Sequence, residues 1–231
     1  MQRSLVGSEM CIRDRVCLLA YQLAPEKWRG RVLLAFSWIF FYLLSGKLLV
    51  YLLGTTLLTH CIGIWLTLLK TEEAKAVEGM DRKQKKVIKA EYQKKGRRVL
   101  ILGILILLGV LGYLKYFDFF TTNLSYLFGH PVLEGWRPEK LLMPIGISFY
   151  TLQAIGYMTD VYWGTIQAET EIWRTALFLG FFPQIMEGPI ARYSDVADTL
   201  YTGKPLEYRN VVDGYVTVSY THLTLPTNSR V

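Results

Sequence analysis

The sequence predicts an all-α fold, a polytopic bundle of membrane helices, from two observations. The chain has 231 residues and is 52% hydrophobic, and its apolar residues are gathered into long runs without Asp, Glu, Lys or Arg. A helix rises about 1.5 Å per residue, so about 20 residues cross the ~30 Å hydrocarbon core of a bilayer. Four runs reach or approach this length: residues 32–46, 48–69, 99–114 and 141–159.

The basic residues are concentrated between the second and third runs. Residues 70–98 hold eleven Lys or Arg against five Asp or Glu, within a chain of net charge +7. By the positive-inside rule, a short Lys-rich loop between two spans lies in the cytoplasm. We therefore predict that 70–98 is a cytoplasmic helical loop that sets the topology, and we do not interpret its charge as affinity for nucleic acid. A specific site for anionic lipid or a partner is the alternative.

Counting outward from this loop gives the order of the membrane segments. The basic stretch KWRGR at 27–31 then also lies in the cytoplasm, and the aromatic-rich segment 117–140 faces the exterior at the membrane interface. Residues 16–24 fit the end of an earlier span better than a signal-peptide core, because they lack a convincing cleavage site. We predict five membrane segments in all, at 16–24, 32–46, 48–69, 99–116 and 141–163.

Both ends of the chain differ from the rest in hydropathy. Residues 1–15 and 218–231 resemble peptides that recur where adapter or primer sequence has been translated at the edges of genes predicted from short reads. We therefore expect the natural segment to be 16–217, with an artefactual leader and tail. His222, in the tail, is given no functional role.

The segment 170–195 predicts a broken or re-entrant element after the last span. Its uncharged part, 175–186, is too short for a regular span. Pro183 and the Gly188–Pro189 pair interrupt helical hydrogen bonding. Backbone freed in this way is tolerated at membrane depth only where it is buried in protein or lines a wet cavity.

The span 141–163 carries a polar stripe. At 100° per residue, Tyr150, Gln153, Tyr157 and Asp160 fall within about 80° of one another. Polar groups inside a membrane are costly and normally face a bundle interior or a cavity. The stripe therefore predicts the wall of a cavity, and packing between helices through Gly146, Gly156 and Gly164 is the alternative interpretation.

Two motifs carry a resemblance to a known family. PIGISFYTLQAIGYMTDVYWG at 144–164 and FFPQIMEGPIARYSD at 181–195, together with LKYFDFFTTNLSYLFG at 114–129, resemble the membrane-bound O-acyltransferase family. The bacterial branch of alginate O-acetyltransferase type fits best, and the resemblance covers residues 30–217. It implies a ring of helices around a funnel in the bacterial inner membrane, where an acyl group moves from a thioester to a hydroxyl of a cell-surface polysaccharide.

The resemblance also implies what the site contains. The acyl donor is a thioester, acetyl-CoA or an acyl carrier; the acceptor is an envelope polysaccharide, and an extracytoplasmic partner or carrier protein is expected. The family's catalytic histidine lies beyond residue 217, so we expect no catalytic residue in this segment, and no activity from the segment alone. Residues expected to line the funnel are Ser148, Tyr150, Gln153, Tyr157, Asp160, Pro183, Gln184, Glu187 and Arg192.

The remaining candidates for chemistry are weak. His60 lies in the middle of a span, where a packed, hydrogen-bonded histidine is the main interpretation, and His130 lies in an exterior loop. The three cysteines show no metal or redox spacing, and no metal site is expected. Apart from the acyl-thioester donor, no cofactor is expected. A transporter or flippase is the alternative function, because broken helices with polar residues also mark transport sites. A structural assembly partner would leave the polar stripe unexplained.

Overall fold

A computed structural model describes residues 16–78, 81–128, 146–187, 191–203, 205, 209 and 212–213. Within these residues all regular structure is helical and there is no strand, which confirms the all-α prediction. The α-helices are α1 (16–23), α2 (Glu26–Ser45), α3 (Leu49–Val77), α4 (Arg82–Phe128), α5 (Ile147–Trp163), α6 (Ile172–Gly180), α7 (Phe182–Glu187) and α8 (Tyr193–Tyr201). A 3-10 turn, Gly46–Leu48, separates α2 from α3.

The chain forms two compact units. In the smaller unit, Met1–Val32 with Thr202–Val231, the buried Arg29 donates hydrogen bonds to the carbonyl oxygens of Ala24 and Gly203. The larger unit, Leu33–Tyr201, contains most of α2 and all of α3 to α8. Apart from the first residues of α2, the features described below belong to the larger unit.

Two helical stretches are long and apolar enough to cross a membrane, Glu26–Val77 and Arg82–Tyr116. The first includes α2, the turn and α3. Much of their surface is apolar and exposed; the large exposed side chains include Leu57 and Trp65 on α3 and Leu102 and Leu105 on α4. Exposed apolar surface of this extent is typical of helices that contact lipid. Membrane helices are thus supported, while the number of five segments stays a prediction.

The basic segment is helical, as predicted. α3 continues to Val77 and α4 begins at Arg82, so only a short connection separates the end of α3 from the basic start of α4. α4 also runs past the predicted end of its span, residue 116, to Phe128. The reason is local, because residues 117–128 contain neither Gly nor Pro to end the helix.

The core is built around α5, which packs between α3, α4 and α6. One cluster joins Leu66 of α3, Leu107 of α4, Met158 of α5 and Phe178 of α6. A second cluster surrounds the start of α5 and includes Phe41, Leu52, Leu114, Tyr150 and Ile185. α5 is therefore in contact with most of the other helices of this unit, and its side chains Tyr150, Gln153 and Tyr157 are enclosed rather than exposed to solvent.

The interruption predicted in 170–195 is present. α6 ends at Gly180, Phe181 has extended backbone, and α7 begins at Phe182. Pro183 has no N–H to donate to the carbonyl of Leu179, so α6 cannot continue through it. At the second position of α7 the same missing N–H costs nothing, because the first N–H groups of a helix have no partner within that helix. The predicted break at Gly188–Pro189 lies outside the described residues.

Candidate functional site

The candidate site is the polar face of α5. Tyr150, Gln153 and Tyr157 recur at three- and four-residue spacing, which places them on one side of the helix. All three are buried, with exposed fractions of 1%, 5% and 1%. Asp160, one turn further along, is half-buried. As the sequence predicted, these side chains lie on one side of α5. Tyr150, Gln153 and Tyr157 on that side face the packed interior.

Tyr150 stands out because its hydroxyl has no hydrogen-bond partner among the described residues. Its ring packs edge-on against Phe41, with 6.4 Å between ring centroids. A buried hydroxyl left without a partner costs about 1–3 kcal/mol. Among the buried polar groups of the stripe, this hydroxyl is the one that the described chain leaves without a partner.

Gln153 has a structural partner. Its Nε2 donates a hydrogen bond of 3.2 Å to the carbonyl oxygen of Phe178 in the last turn of α6. The last four carbonyls of a helix have no N–H partner within the helix. The N–H of Phe182, which would have served this carbonyl, donates instead to the hydroxyl of Ser37 at 3.4 Å. Gln153 therefore satisfies the backbone that the break between α6 and α7 leaves free.

Tyr157 joins α5 to the segment that precedes α6. Its hydroxyl accepts a hydrogen bond of 2.9 Å from the backbone N–H of Glu169. Its ring packs edge-on against Tyr193 of α8 at 5.1 Å and tilted against Phe178 at 6.2 Å. These contacts fix the direction in which the chain leaves α5.

Glu169 is the centre of a network that the sequence did not reveal. Its Oε1 accepts a 2.6 Å hydrogen bond from the hydroxyl of Tyr193, and its Oε2 lies 3.4 Å from Nη1 of Arg174. The hydroxyl of Tyr201 donates in turn to the carbonyl of Arg174 at 2.7 Å. Burial, and next the hydrogen bond to Glu169, raise the pKa of the Tyr193 hydroxyl above its usual value. Glu169 and Arg174 in ETEIWR (169–174) and the tyrosines of α8 show no periodic pattern in the sequence that would have linked them.

His60 is packed and hydrogen-bonded, as the main interpretation had it. It lies on α3 with 8% of its surface exposed, and its Nδ1 is 3.3 Å from Oγ1 of Thr175 on α6. Thr175 is fully buried. His130 lies outside the described residues.

None of the other predicted residues whose side chains the structure describes is fully buried. Ser148 accepts a hydrogen bond of 3.1 Å from Nζ of Lys115 on α4. Pro183 and Arg192 are exposed, and Gln184 is half-buried. Glu187 ends α7, and its side chain lies outside the described residues. Of the nine predicted residues, the structure brings together Tyr150, Gln153 and Tyr157; whether they line a funnel stays a prediction.

A metal centre has no support in the described part of the chain, where no group of three His, Cys, Asp or Glu side chains could hold an ion. The site thus consists of the hydroxyls of Tyr150 and Tyr157, the amide of Gln153 and the carboxylate of Glu169, which is bound by Tyr193 and Arg174. These groups can orient a ligand by hydrogen bonds.

A helical protein with membrane-crossing stretches and an enclosed polar helix face is the class that the fold and site define. The chain is similar to proteins named as O-acetylases and to one named as an O-acetyltransferase. It is 30% identical to the probable alginate O-acetylase AlgI of Pseudomonas aeruginosa over 79% of the chain and 31% of that protein. It is 31% identical to the same-named protein of Pseudomonas syringae pv. tomato over 77% of the chain and 30% of that protein.

A relative with a different named substrate is also similar. The peptidoglycan O-acetyltransferase of Helicobacter pylori is 30% identical over 50% of the chain and 26% of its own length. The chain thus spans about a third or less of the length of these curated relatives. No protein-family model matches the chain. No solved structure matches it either.

Proposed function

We propose that the chain forms part of a membrane-bound O-acyltransferase that transfers an acetyl group to hydroxyls of a cell-surface polysaccharide. The observation that carries the proposal is the similarity to the alginate O-acetylases, which extends over 77–79% of the chain at about 30% identity. The enclosed polar face of α5 and the membrane-crossing stretches are consistent with it. On this proposal the protein is a multi-pass protein of the bacterial inner membrane, with 70–98 in the cytoplasm.

The proposed reaction needs a donor and an acceptor that this chain helps to position. A hydroxyl oxygen of the polysaccharide attacks the carbonyl carbon of an acetyl thioester, on acetyl-CoA or an acyl carrier. The proton of the hydroxyl passes to a general base, and the thiolate leaves and is protonated. An extracytoplasmic partner or carrier protein would deliver the polysaccharide or accept the acetyl group.

Tyr150 is the residue of the chain that we propose contacts the substrate. Its hydroxyl is buried and has no partner among the described residues, so it can donate to the thioester carbonyl or to the acceptor oxygen. Gln153 and Tyr157 support the wall, because each is engaged with backbone of a neighbouring element. We assign no general base to this chain, because His60 is held against Thr175.

A transporter or flippase is the second candidate. The break between α6 and α7 beside a buried polar helix face is the observation that favours it, since interrupted helices form binding sites in transporters. Transport and acetylation differ in what is lost when the segment fails. If the segment serves transport, its failure reduces the amount of polysaccharide outside the cell. If it serves acetylation, the polysaccharide is still exported but lacks acetyl esters.

A chimera tests both. The aligned segment of the P. aeruginosa relative is replaced by that of this chain, and the acetate released by base from exported alginate is measured per sugar residue. We expect acetylation in the chimera and a decrease of about tenfold or more when Tyr150 is changed to Phe. A chimera present in the membrane at the parent's level, exporting normal amounts of alginate without acetate, would contradict the proposal. Reduced export of normally acetylated alginate would favour transport.

A further inference from the structure

A groove with a volume of about 990 Å³ lies where the last turns of α3 and the basic start of α4 meet the end of α5. Five cationic side chains and one carboxylate, that of Glu73, line it. The cations are Lys70, Arg82, Lys85, Lys86 and Lys89. The groove therefore carries a local excess of four positive charges, which favours an anionic ligand.

Part of the groove is apolar. Leu66, Leu69 and Val77 of α3 line it together with Tyr162 and Trp163 at the end of α5. Trp163 is 71% exposed. Trp and Tyr are enriched at the boundary between membrane and water. Cationic and apolar walls side by side suit a ligand with a charged end and a hydrocarbon end.

The packing of α5 against α4 shapes this groove. Gly96 of α4 lies beneath Tyr162, and a Cβ at Gly96 would stand 3.3 Å from the ring. The absence of a side chain at Gly96 therefore lets α5 approach α4. The tyrosine ring forms a wall of the groove as a result.

The charges in the groove differ in how firmly they are held. Nζ of Lys70 donates a hydrogen bond of 2.8 Å to the carbonyl oxygen of Val161, in the last turn of α5. Within the described ranges, by contrast, Lys85, Lys86 and Lys89 have neither an ion pair nor a side-chain hydrogen bond. All three are exposed. Their charge is not neutralised by the described protein and is available to a ligand.

The position of the groove points to the source of the anion. Leu66 and Leu69, at its apolar end, belong to the run 48–69, and its cationic side chains belong to the basic segment 70–98, so the groove begins at the predicted cytoplasmic boundary of the membrane. Anionic phospholipids are concentrated in that leaflet, and juxtamembrane Lys and Arg attract them. A phosphate headgroup offers the negative charge, and its acyl chain can lie along the apolar wall.

We propose that this groove binds an anionic phospholipid of the cytoplasmic leaflet, with the phosphate among Lys85, Lys86 and Lys89 and the acyl chain against Leu66, Leu69 and Tyr162. The inference is independent of the proposed acetyl transfer. It rests on the groove and its charges and would hold for a transporter as well.

Two triple variants with the same loss of charge test the proposal. In the groove variant Lys85, Lys86 and Lys89 become Gln; in the control variant Lys75, Lys83 and Lys94, which do not line the groove, become Gln. The full chain is purified in detergent with phosphatidylcholine and phosphatidylglycerol, and native mass spectrometry measures the phosphatidylglycerol retained. We expect the groove variant to retain about tenfold less and the control to stay within about twofold of the unmodified chain.

Several outcomes overturn the proposal. Equal loss in both variants would mean diffuse attraction rather than a site, and no loss in either would mean that the groove does not bind this lipid. If acetyl-CoA displaces the retained phosphatidylglycerol and glycerol 3-phosphate does not, the groove is a site for a nucleotide thioester and not for a lipid.

If the groove variant fails to fold, a second measurement on the unmodified chain tests the proposal. A photoactivatable phosphatidylglycerol is crosslinked to the unmodified chain, and the labelled peptides are identified. We expect labelling to centre on Gln93, Tyr162 and Trp163, which line the groove. Labelling spread evenly over the apolar helices would overturn the proposal.

Discussion

Replacing Tyr193 with Phe removes one oxygen from the network around Glu169 and leaves the ring in place. The hydroxyl donates a 2.6 Å hydrogen bond to Oε1 of Glu169, and Tyr193 is only 5% exposed. The side chain of Glu169 is 20% exposed, and among the described residues its carboxylate then keeps only the more distant Arg174 as a partner. The substitution therefore strips a strong hydrogen bond from a largely buried carboxylate.

The expected magnitude follows from the charge of the acceptor. Hydrogen bonds to charged groups contribute about 1.5–3 kcal/mol. Because Glu169 retains some contact with solvent, we expect Tyr193→Phe to lower the free energy of unfolding by about 2 kcal/mol. For a chain of this size about 1 kcal/mol corresponds to about 2–4 °C, so Tm should fall by about 4–8 °C.

The pH dependence gives a second, independent readout. Burial and the bond to Glu169 raise the pKa of Tyr193 in the folded protein, whereas an unfolded tyrosine has a pKa of about 10. A raised pKa stabilises the folded state below pH about 10, and this stabilisation is lost as pH rises, because only the unfolded state releases its proton. The difference between the unmodified chain and Tyr193→Phe should therefore shrink by about 1.4 kcal/mol at pH about 11.

Thermal denaturation in detergent, followed by the fraction that elutes as a single species, measures both effects. Tyr42→Phe is the matched control, because Tyr42 is 58% exposed and its substitution should leave Tm unchanged. A Tm for Tyr193→Phe equal to that of the unmodified chain would refute the network as a source of stability. A difference that stays constant from neutral to high pH would refute the role of the hydroxyl's raised pKa.

Two further substitutions test the start of α5 and the histidine on α3. Gly146→Ala should lower Tm, because φ is 74° there and a Cβ would stand 2.1 Å from Cγ2 of Ile185; left-handed backbone alone costs a residue with a Cβ about 1–2 kcal/mol. Gly156→Ala has open space and should raise stability by about 0.5–1 kcal/mol, so equal Tm values for the two would contradict this difference. His60→Ala should lower Tm, because the contact with Thr175 is lost. Acetylation by the chimera with this substitution should stay within about threefold of that by the unmodified chimera, because loss of a general base would instead lower the rate about a hundredfold or more.

The features that the sequence predicted well are those that depend on neighbouring residues. The helical stripe of Tyr150, Gln153 and Tyr157 follows from the 3.6-residue period, and the structure places all three on one buried face. The interruption near Pro183 follows from a missing N–H, although the break itself falls two residues earlier, at Phe181. The segment 70–98 was also predicted to be helical, and in the structure it forms the end of α3 and the start of α4.

The sequence alone determined that this chain is helical, apolar enough to cross a membrane twice or more, and polar along one face of α5. These properties are local, because helix period, run length and proline act within a few residues. Only the tertiary structure decided what the polar groups meet: Gln153 on the carbonyl of Phe178, His60 on Thr175, and Glu169 on Tyr193. Those partners lie 25, 115 and 24 residues apart. No short-range pattern encodes such pairings, because they form only when separate helices pack against one another.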